Sequence, residues 1–161
     1  MTIKVGDHIP EATLMHMTDA GPRPLPSAEL FKGKKVVLFG LPGAFTPTCS
    51  NKHLPGFVQN ADALKKKGVD TIACLSVNDA FVMGAWGKDQ KAGDKVLMVA
   101  DGNAELTKKL GLEMDGSGFG MGTRAKRFSM YVVDGVVKSL NIETAPGETK
   151  ETGYEKMLTQ V

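Results

Sequence analysis

Apolar positions in this chain fall into short β-branched runs that alternate with stretches of helical spacing. Val36-Val37-Leu38-Phe39 lies inside a strand predicted over 35–40, and an unbroken apolar run of that length suits a strand covered on both faces. Ile72–Val77 reads as a second strand of this kind and Val96–Val99 as a third. Between them, Phe57, Val58, Ala61 and Leu64 recur at helical spacing, while Pro55 predicts a kink or interruption near Leu54. Phe81, Val82 and Trp86 mark a helix with Asn78 as its expected N-cap. Ala104–Leu110 marks another, with Asn103 as cap and Gly111 as stop. Upstream, Ser27 is expected to cap a brief helix over Ala28–Phe31 that ends before Gly33.

The first 33 residues predict an N-terminal β-hairpin, with turn material at Thr18–Pro22. Towards the other end, Phe128–Val133 and Val136–Ile142 flank Asp134-Gly135, the pattern of a hairpin closed by a type I′ turn. A last helix is expected over about 148–160. The glycines of 115–122 predict a mobile loop, and Met121 stands where a dinucleotide fingerprint needs its last glycine. Alternating β-α-β-α-β followed by a hairpin and a helix predicts an α/β fold, a mixed β-sheet with helices on both faces. No repeat, linker or low-complexity segment divides the chain, so one domain spanning 1–161 is expected.

Composition narrows the function classes. With 161 residues, 42% hydrophobic and 24% charged, the chain has the make-up of an ordinary globular domain with a sizeable core. The net charge is only +2, and the one dense basic run, Lys65-Lys66-Lys67, closes a predicted helix where cations complement the carbonyl end. No nucleic-acid partner is expected. No apolar run reaches the length of a membrane span, so no membrane partner is expected either. Two cysteines cannot form a disulfide scaffold, and Met1–Asp7 lacks the apolar core of a signal peptide. Together these predict a reducing, cytoplasmic location. His8 and His16 show no metal-ligand spacing with either cysteine, and neither a metal nor a bound cofactor is expected.

The chemistry concentrates at Cys49. Pro42-Gly43 ends the 35–40 strand, Thr46 is the expected N-cap of the following helix, and Pro47 takes the first helical position, where a missing N–H costs nothing. Cys49 then falls in the first turn, where orphan amides and the positive end of the helix dipole favour an anion. A thiol there suits a nucleophile; the bland alternative is an inert core cysteine.

The spacing Pro42-x-x-x-Thr46-x-x-Cys49, within the longer Leu41–Phe57 stretch, resembles the active-site segment of the peroxiredoxins, most of all their type II, peroxiredoxin-5-like branch. The resemblance continues through Ala73–Asp79 and Arg124–Met130 to Asp134-Gly135. It implies a thioredoxin-like fold, a homodimer and a thiol-dependent peroxidase that reduces hydrogen peroxide and alkyl hydroperoxides through a Cys49 sulfenic acid. It also gives Arg127 the role of a cation reaching the cysteine; alternation along an extended segment sends Lys126 to the other side. Pro42 is expected to shield the thiolate, and Thr46 to hydrogen-bond the peroxide as well as cap the helix. Phe45, Phe119 and Met121 are either apolar walls for alkyl hydroperoxides or ordinary core. His53 lies one helical turn beyond Cys49, but the resemblance assigns a base role to no histidine, so a structural or flanking role is expected.

Catalysis then needs a thiol to regenerate Cys49. Cys74 is the only other cysteine and sits in the middle of a predicted buried strand, where disulfide geometry is hard to reach; a core residue is the favoured reading, with Cys74 kept as a possible resolving residue. Some peroxiredoxins carry a resolving cysteine near the C-terminus, but Thr144–Thr152 contains none. The implied reductant is external: glutathione with glutaredoxin, or thioredoxin. Two alternatives use the same cysteine. Thiol–disulfide exchange calls for a C-x-x-C pair, which is missing, and a redox sensor would consume peroxide only stoichiometrically.

Overall fold

The computed structural model describes residues 1–145 and 147–161. The strands are β1 (Thr13–Thr18), β2 (Gly21–Pro26), β3 (Lys35–Gly40), β4 (Thr71–Ser76), β5 (Leu97–Ala100), β6 (Glu113–Asp115), β7 (Thr123–Ala125), β8 (Phe128–Val133) and β9 (Val136–Ile142). The α-helices are α1 (Ser27–Phe31), α2 (Leu54–Lys66), α3 (Ala80–Asp89), α4 (Glu105–Leu110) and α5 (Tyr154–Leu158). Seven strands form one mixed sheet in the order β2-β1-β5-β4-β3-β8-β9, and β6 and β7 pair separately. β3, β4 and β5 run parallel, and β8 lies antiparallel against β3.

Period-two alternation in the central strands divides the core into two. Val36 and Leu38 of β3, with Ala73 and Leu75 of β4, face one side, where Leu30 and Phe31 of α1 and Leu106 and Leu110 of α4 cover them. Val37, Phe39, Ile72 and Cys74 face the other, beneath Phe57 and Leu64 of α2, Trp86 of α3 and Met157 of α5. Helices therefore lie on both faces, as expected. Cys49 and Cys74 share the second of these cores.

The N-terminal hairpin is present as β1 and β2, in register from Thr13 opposite Pro26 to Thr18 opposite Gly21. Pro22, Pro24 and Pro26 all lie in β2, the edge strand, where missing donors cost the ladder nothing. The turn between β8 and β9 has φ 49° at Asp134 and 79° at Gly135, the double left-handed geometry of a type I′ turn.

Several expectations change. Asp79, not Asn78, caps α3, its Oδ1 accepting the Val82 N–H at 2.8 Å. Asn103 does not cap α4; the buried Asp101 carboxylate accepts the N–H groups of Leu106 and Thr107 and the Thr107 hydroxyl. Ser27 is the first residue of α1 and its hydroxyl turns elsewhere, accepting from Ala12 N–H and donating to the Pro10 carbonyl, both at 3.0 Å. The 115–122 segment is ordered: β6 and β7 bracket a short 3-10 turn at Ser117–Phe119. The final helix shrinks to Tyr154–Leu158 because the amides of Glu151 and Thr152 bond to the Glu143 carboxylate instead. The third parallel strand runs over Leu97–Ala100, one residue later than its apolar run suggests.

The helix after Cys49 is not broken by Pro55. It starts at Pro47 and widens over Cys49–His53 into a π-helical turn, with Leu54 N–H bonding to the Cys49 carbonyl five residues back, before continuing as α2. Proline clashes with the carbonyl four residues before it, and a wider turn is the simplest way to make room without ending the helix.

β3 and β8 approach closely at Gly40, which stands opposite Phe128. A Cβ on Gly40 would overlap the buried Phe128 ring. Gly40→Ala is expected to destabilise the fold by about 1–3 kcal/mol, as overpacking does. A lower urea midpoint at unchanged slope checks this; an unchanged midpoint refutes it.

Candidate active site

The loop from Leu41 to Thr48 joins β3 to the helix that carries Cys49. Its conformation is not one the chain takes unaided: Phe45 sits at φ 63°, a left-handed region that a bulky residue occupies only under constraint. Asn78 supplies one constraint, its Oδ1 accepting the Ala44 N–H at 3.0 Å and the Ser76 hydroxyl at 2.6 Å. Arg124 supplies another. Its Nη1 donates to the Pro42 carbonyl at 3.3 Å and its Nε to the Met121 carbonyl at 2.9 Å, tying the ordered 115–122 segment to the loop.

Thr46 behaves partly as expected. Its carbonyl accepts the Ser50 N–H at 2.9 Å, as an N-cap carbonyl does. Its hydroxyl makes no cap and instead donates to the Gly43 carbonyl at 2.6 Å. A hydroxyl has a single proton to give, so towards any further partner Thr46 Oγ1 is an acceptor.

Cys49 is fully buried, and Arg127, only 4% exposed, reaches it from just before β8. Arg127 Nη2 donates to Cys49 Sγ at 3.2 Å. Lys126 is exposed, so the alternation that aims one cation inward holds. Arg127 Nη1 donates to His53 Nδ1 at 3.0 Å, which leaves the other ring nitrogen as the protonated one, and Nε2–H donates to the Thr152 carbonyl at 3.0 Å. The imidazole is neutral. Burial, followed by the adjacent Arg127 charge, lowers its pKa to about 3, against the opposing pull of the Thr152 carbonyl. His53 also lies against Phe39, ring centroids 5.0 Å apart, and Phe39 stacks on Phe57 at 4.1 Å.

The structural role expected for His53 thus takes a specific form as a partner of Arg127. Asn78 was missed as a loop anchor because a capping position looked sufficient for it. Cys74 is buried, and burial, with the nearby Cys49 adding to it, pushes its thiol well above the ordinary value while the Arg127 charge works the other way. Phe45 and Phe119 are exposed, at 53% and 88%, and Met121 is half-buried, so none of the three is core. Among the described residues no group of three or more His, Cys, Asp or Glu side chains is arranged to hold a metal ion. Among the described residues no helix is long and apolar enough to cross a membrane.

A histidine held neutral far below its unfolded value of about 6.5 links stability to acid. Between pH 6.5 and about 3 the unfolded chain binds a proton at His53 that the folded chain excludes, so this contribution is intact above pH 6.5 and falls as pH drops through the window. Its slope reaches at most about 1.4 kcal/mol per pH unit. Denaturation at a series of pH values is expected to show a shallower acid loss for His53→Gln than for the wild type; parallel curves would remove His53 from the balance.

The Redoxin family model matches residues 4–158. Chloroplastic Peroxiredoxin-2E-2 of Oryza sativa subsp. japonica is 51% identical over 161 residues, covering 97% of this chain and 72% of that protein. Mitochondrial Peroxiredoxin-2F of Arabidopsis thaliana is 44% identical over 136 residues, covering 84% of this chain and 68% of that protein. The crystal structure of reduced Prx3 in complex with hydrogen peroxide from Vibrio vulnificus superposes with a TM-score of 0.93 at 54% identity, covering 98% of both chains. The sheet and helices are those of the thioredoxin-like fold of such proteins. Chloroplastic and mitochondrial proteins among these relatives overturn the cytoplasmic expectation. Two cysteines exclude a disulfide scaffold but do not distinguish one reducing compartment from another. From its matched length, its fold and these relatives, the chain belongs to the Redoxin family and is a type II peroxiredoxin, a thiol-dependent peroxidase.

Proposed function

We propose that Cys49 is the sulfur that reacts with peroxide and that Arg127, Thr46 and Pro42 form its catalytic surroundings within a single domain over 1–161. The observation that carries this reading is the buried 3.2 Å contact from Arg127 Nη2 to Cys49 Sγ. The thiolate attacks one oxygen of the peroxide, the S–O bond forms as the O–O bond breaks, and the departing oxygen takes a proton to leave as water or alcohol. Sulfur is oxidised to the sulfenic acid and the peroxide is reduced by the same two electrons. Thr46 Oγ1, its own proton committed to Gly43, accepts the peroxide O–H and orients it. The guanidinium stabilises the oxygen on which charge develops, and Pro42 shields the sulfur from water.

Regeneration falls to an external thiol, with glutathione and glutaredoxin favoured over thioredoxin. Supporting this, Cys74 lies in the core with its thiolate disfavoured, which makes it a poor attacker. Cys49 itself has no accessible surface, so the reductant reaches it only when the turn around it opens. Hydrogen peroxide and small alkyl hydroperoxides are the proposed substrates, with exposed Phe45 as an apolar contact. The protein works as a homodimer through the face that carries the active-site loop and α3, where Phe45 and Phe81 present exposed rings.

Cys49→Ser is expected to abolish turnover with the fold intact, and retained peroxidase activity would refute the assignment. Arg127→Met is expected to slow the peroxide step by about 10²-fold or more, as loss of an oxyanion donor does. A rate within a few-fold of wild type would transfer the role to Arg124 or the loop amides. Cys74→Ser is expected to turn over normally with glutathione and glutaredoxin, and peroxide-treated wild type to carry a glutathione adduct on Cys49. A stable Cys49–Cys74 disulfide and an inactive Cys74→Ser would overturn the one-cysteine scheme. Sedimentation at micromolar concentration tests the dimer; a monomeric mass overturns it.

A further inference from the structure

Arg127 is held at both ends, and both ties lead to one carboxylate. Its main-chain carbonyl accepts the Glu143 N–H at 3.0 Å, just beyond the end of β9. Its guanidinium donates to His53 Nδ1 at 3.0 Å, and His53 donates from Nε2 to the Thr152 carbonyl at 3.0 Å. Thr152 in turn is fixed by Glu143: Oε2 accepts the Thr152 N–H at 3.1 Å, the Thr152 hydroxyl at 2.9 Å and the Glu151 N–H at 3.0 Å. Thr152 has no exposed surface, and His53 is 1% exposed. The hydrogen bonds close a ring that runs Arg127 backbone, Glu143, Thr152, His53 and Arg127 guanidinium, and Cys49 Sγ branches from the guanidinium.

We propose that Glu143 is a positioning residue for the peroxidase reaction: by holding Thr152 it sets the ring and tautomer of His53, and His53 aims the Arg127 guanidinium at Cys49. This rests on the roles of Arg127 and Cys49 proposed above. A guanidinium on a long flexible stem reaches many orientations, and the lone pair at His53 Nδ1 favours those that direct Nη1 to the ring. The selection works only for the tautomer protonated at Nε2, and the Thr152 carbonyl is the acceptor that stabilises that tautomer. Thr152 sits in a turn and not in a regular helix; the Gly153 N–H bond to the Thr149 carbonyl at 3.0 Å holds one side of the residue, and Glu143 holds the other through the Thr152 N–H and hydroxyl, so losing the carboxylate frees half of what places the Thr152 carbonyl. Glu143 touches neither the sulfur nor the peroxide in this scheme. It acts through three other residues.

The test is a double-mutant cycle on the peroxide step, followed by stopped-flow mixing of the reduced protein with hydrogen peroxide. Glu143→Ala is expected to slow the step by about ten- to a hundredfold, the scale set by a small misplacement of a catalytic group. Glu143→Gln, which keeps an acceptor oxygen for Thr152, is expected to restore most of the rate, a rescue that a merely structural loss does not predict. In an Arg127→Met background Glu143→Ala is expected to change the rate by less than about twofold, since nothing remains to be aimed. Thr152→Val, which removes only the hydroxyl bond to Glu143, is expected to give a smaller loss of the same kind and serves as the probe if Glu143→Ala does not fold. A folded Glu143→Ala or Thr152→Val with wild-type rate overturns the proposal. So does an equal loss in the wild-type and Arg127→Met backgrounds, which would mark a structural role only. If Arg127→Met is itself as fast as wild type, the reading of Arg127 fails first, and that outcome is distinguishable from a slow Arg127→Met beside a fast Glu143→Ala.

Discussion

A guanidinium buried against a thiol is the constraint on which the rest of this structure depends. Removing a cation from water is costly unless hydrogen bonds replace its hydration, and leaving one such group poorly partnered costs far more than any single neutral contact. Arg127 meets that demand with Cys49 Sγ at 3.2 Å and His53 Nδ1 at 3.0 Å, at 4% exposure. The histidine can serve only as a neutral acceptor, since a second positive charge beside the guanidinium would defeat the arrangement, and its pKa of about 3 follows from the same burial and the same charge. One cation therefore keeps its neighbour neutral and bonds only to the tautomer that the Thr152 carbonyl also favours.

The backbone adapts to that geometry. Cys49 and His53 are the first and last residues of the π-helical turn, and the widened turn lets both side chains face Arg127 while Pro55 is accommodated two residues later. Across the sheet, Phe39 packs against both the His53 and Phe57 rings, so the aromatic layer that fills the core also sets the plane of the imidazole. Packing and site geometry are here one structure. A volume change at Phe39 or Phe57 reaches the sulfur through the ring between them.

Local patterns in the sequence carried the sheet and its two covered faces. The runs 35–40 and 72–77 are apolar at alternate and intervening positions alike, and the structure sends Val36 and Leu38 to one core and Val37 and Phe39 to the other. The Asp134-Gly135 turn was legible for the same reason, since its chemistry is local. Caps were misplaced where a side chain found a distant partner: Ser27 bonds to Pro10 and Ala12, Asn78 to Ala44, and Asp101 reaches forward five and six residues. At the site, Cys49, Thr46 and Arg127 were visible through a motif and a resemblance, but the ring that holds Arg127 was not. Its links join residues 74 and 99 positions apart, at His53–Arg127 and His53–Thr152. No periodicity records such a pairing. The only local hint was a histidine one turn from the cysteine on an otherwise apolar helix face.

Lowering a thiol's pKa raises its thiolate fraction but weakens each thiolate as a nucleophile, with a Brønsted coefficient of ~0.4–0.5, so ionisation alone yields about one kcal/mol of rate. A buried cation is an expensive device for so small a return. In the proposed reaction the same guanidinium acts in a second way, by stabilising charge as it moves from sulfur to the departing oxygen, and that role demands close placement in a site closed to water. Closure brings its own consequence. Cys49 has no exposed surface, so peroxide and reductant alike reach it only when the turn around it opens, and a protein thiol or a tripeptide needs the wider opening. In the proposed cycle the closure that serves the first step therefore also shields the oxidised sulfur from its reductant. The π-helical turn, less regularly bonded than the α-helix it interrupts, is where that protection has to give way.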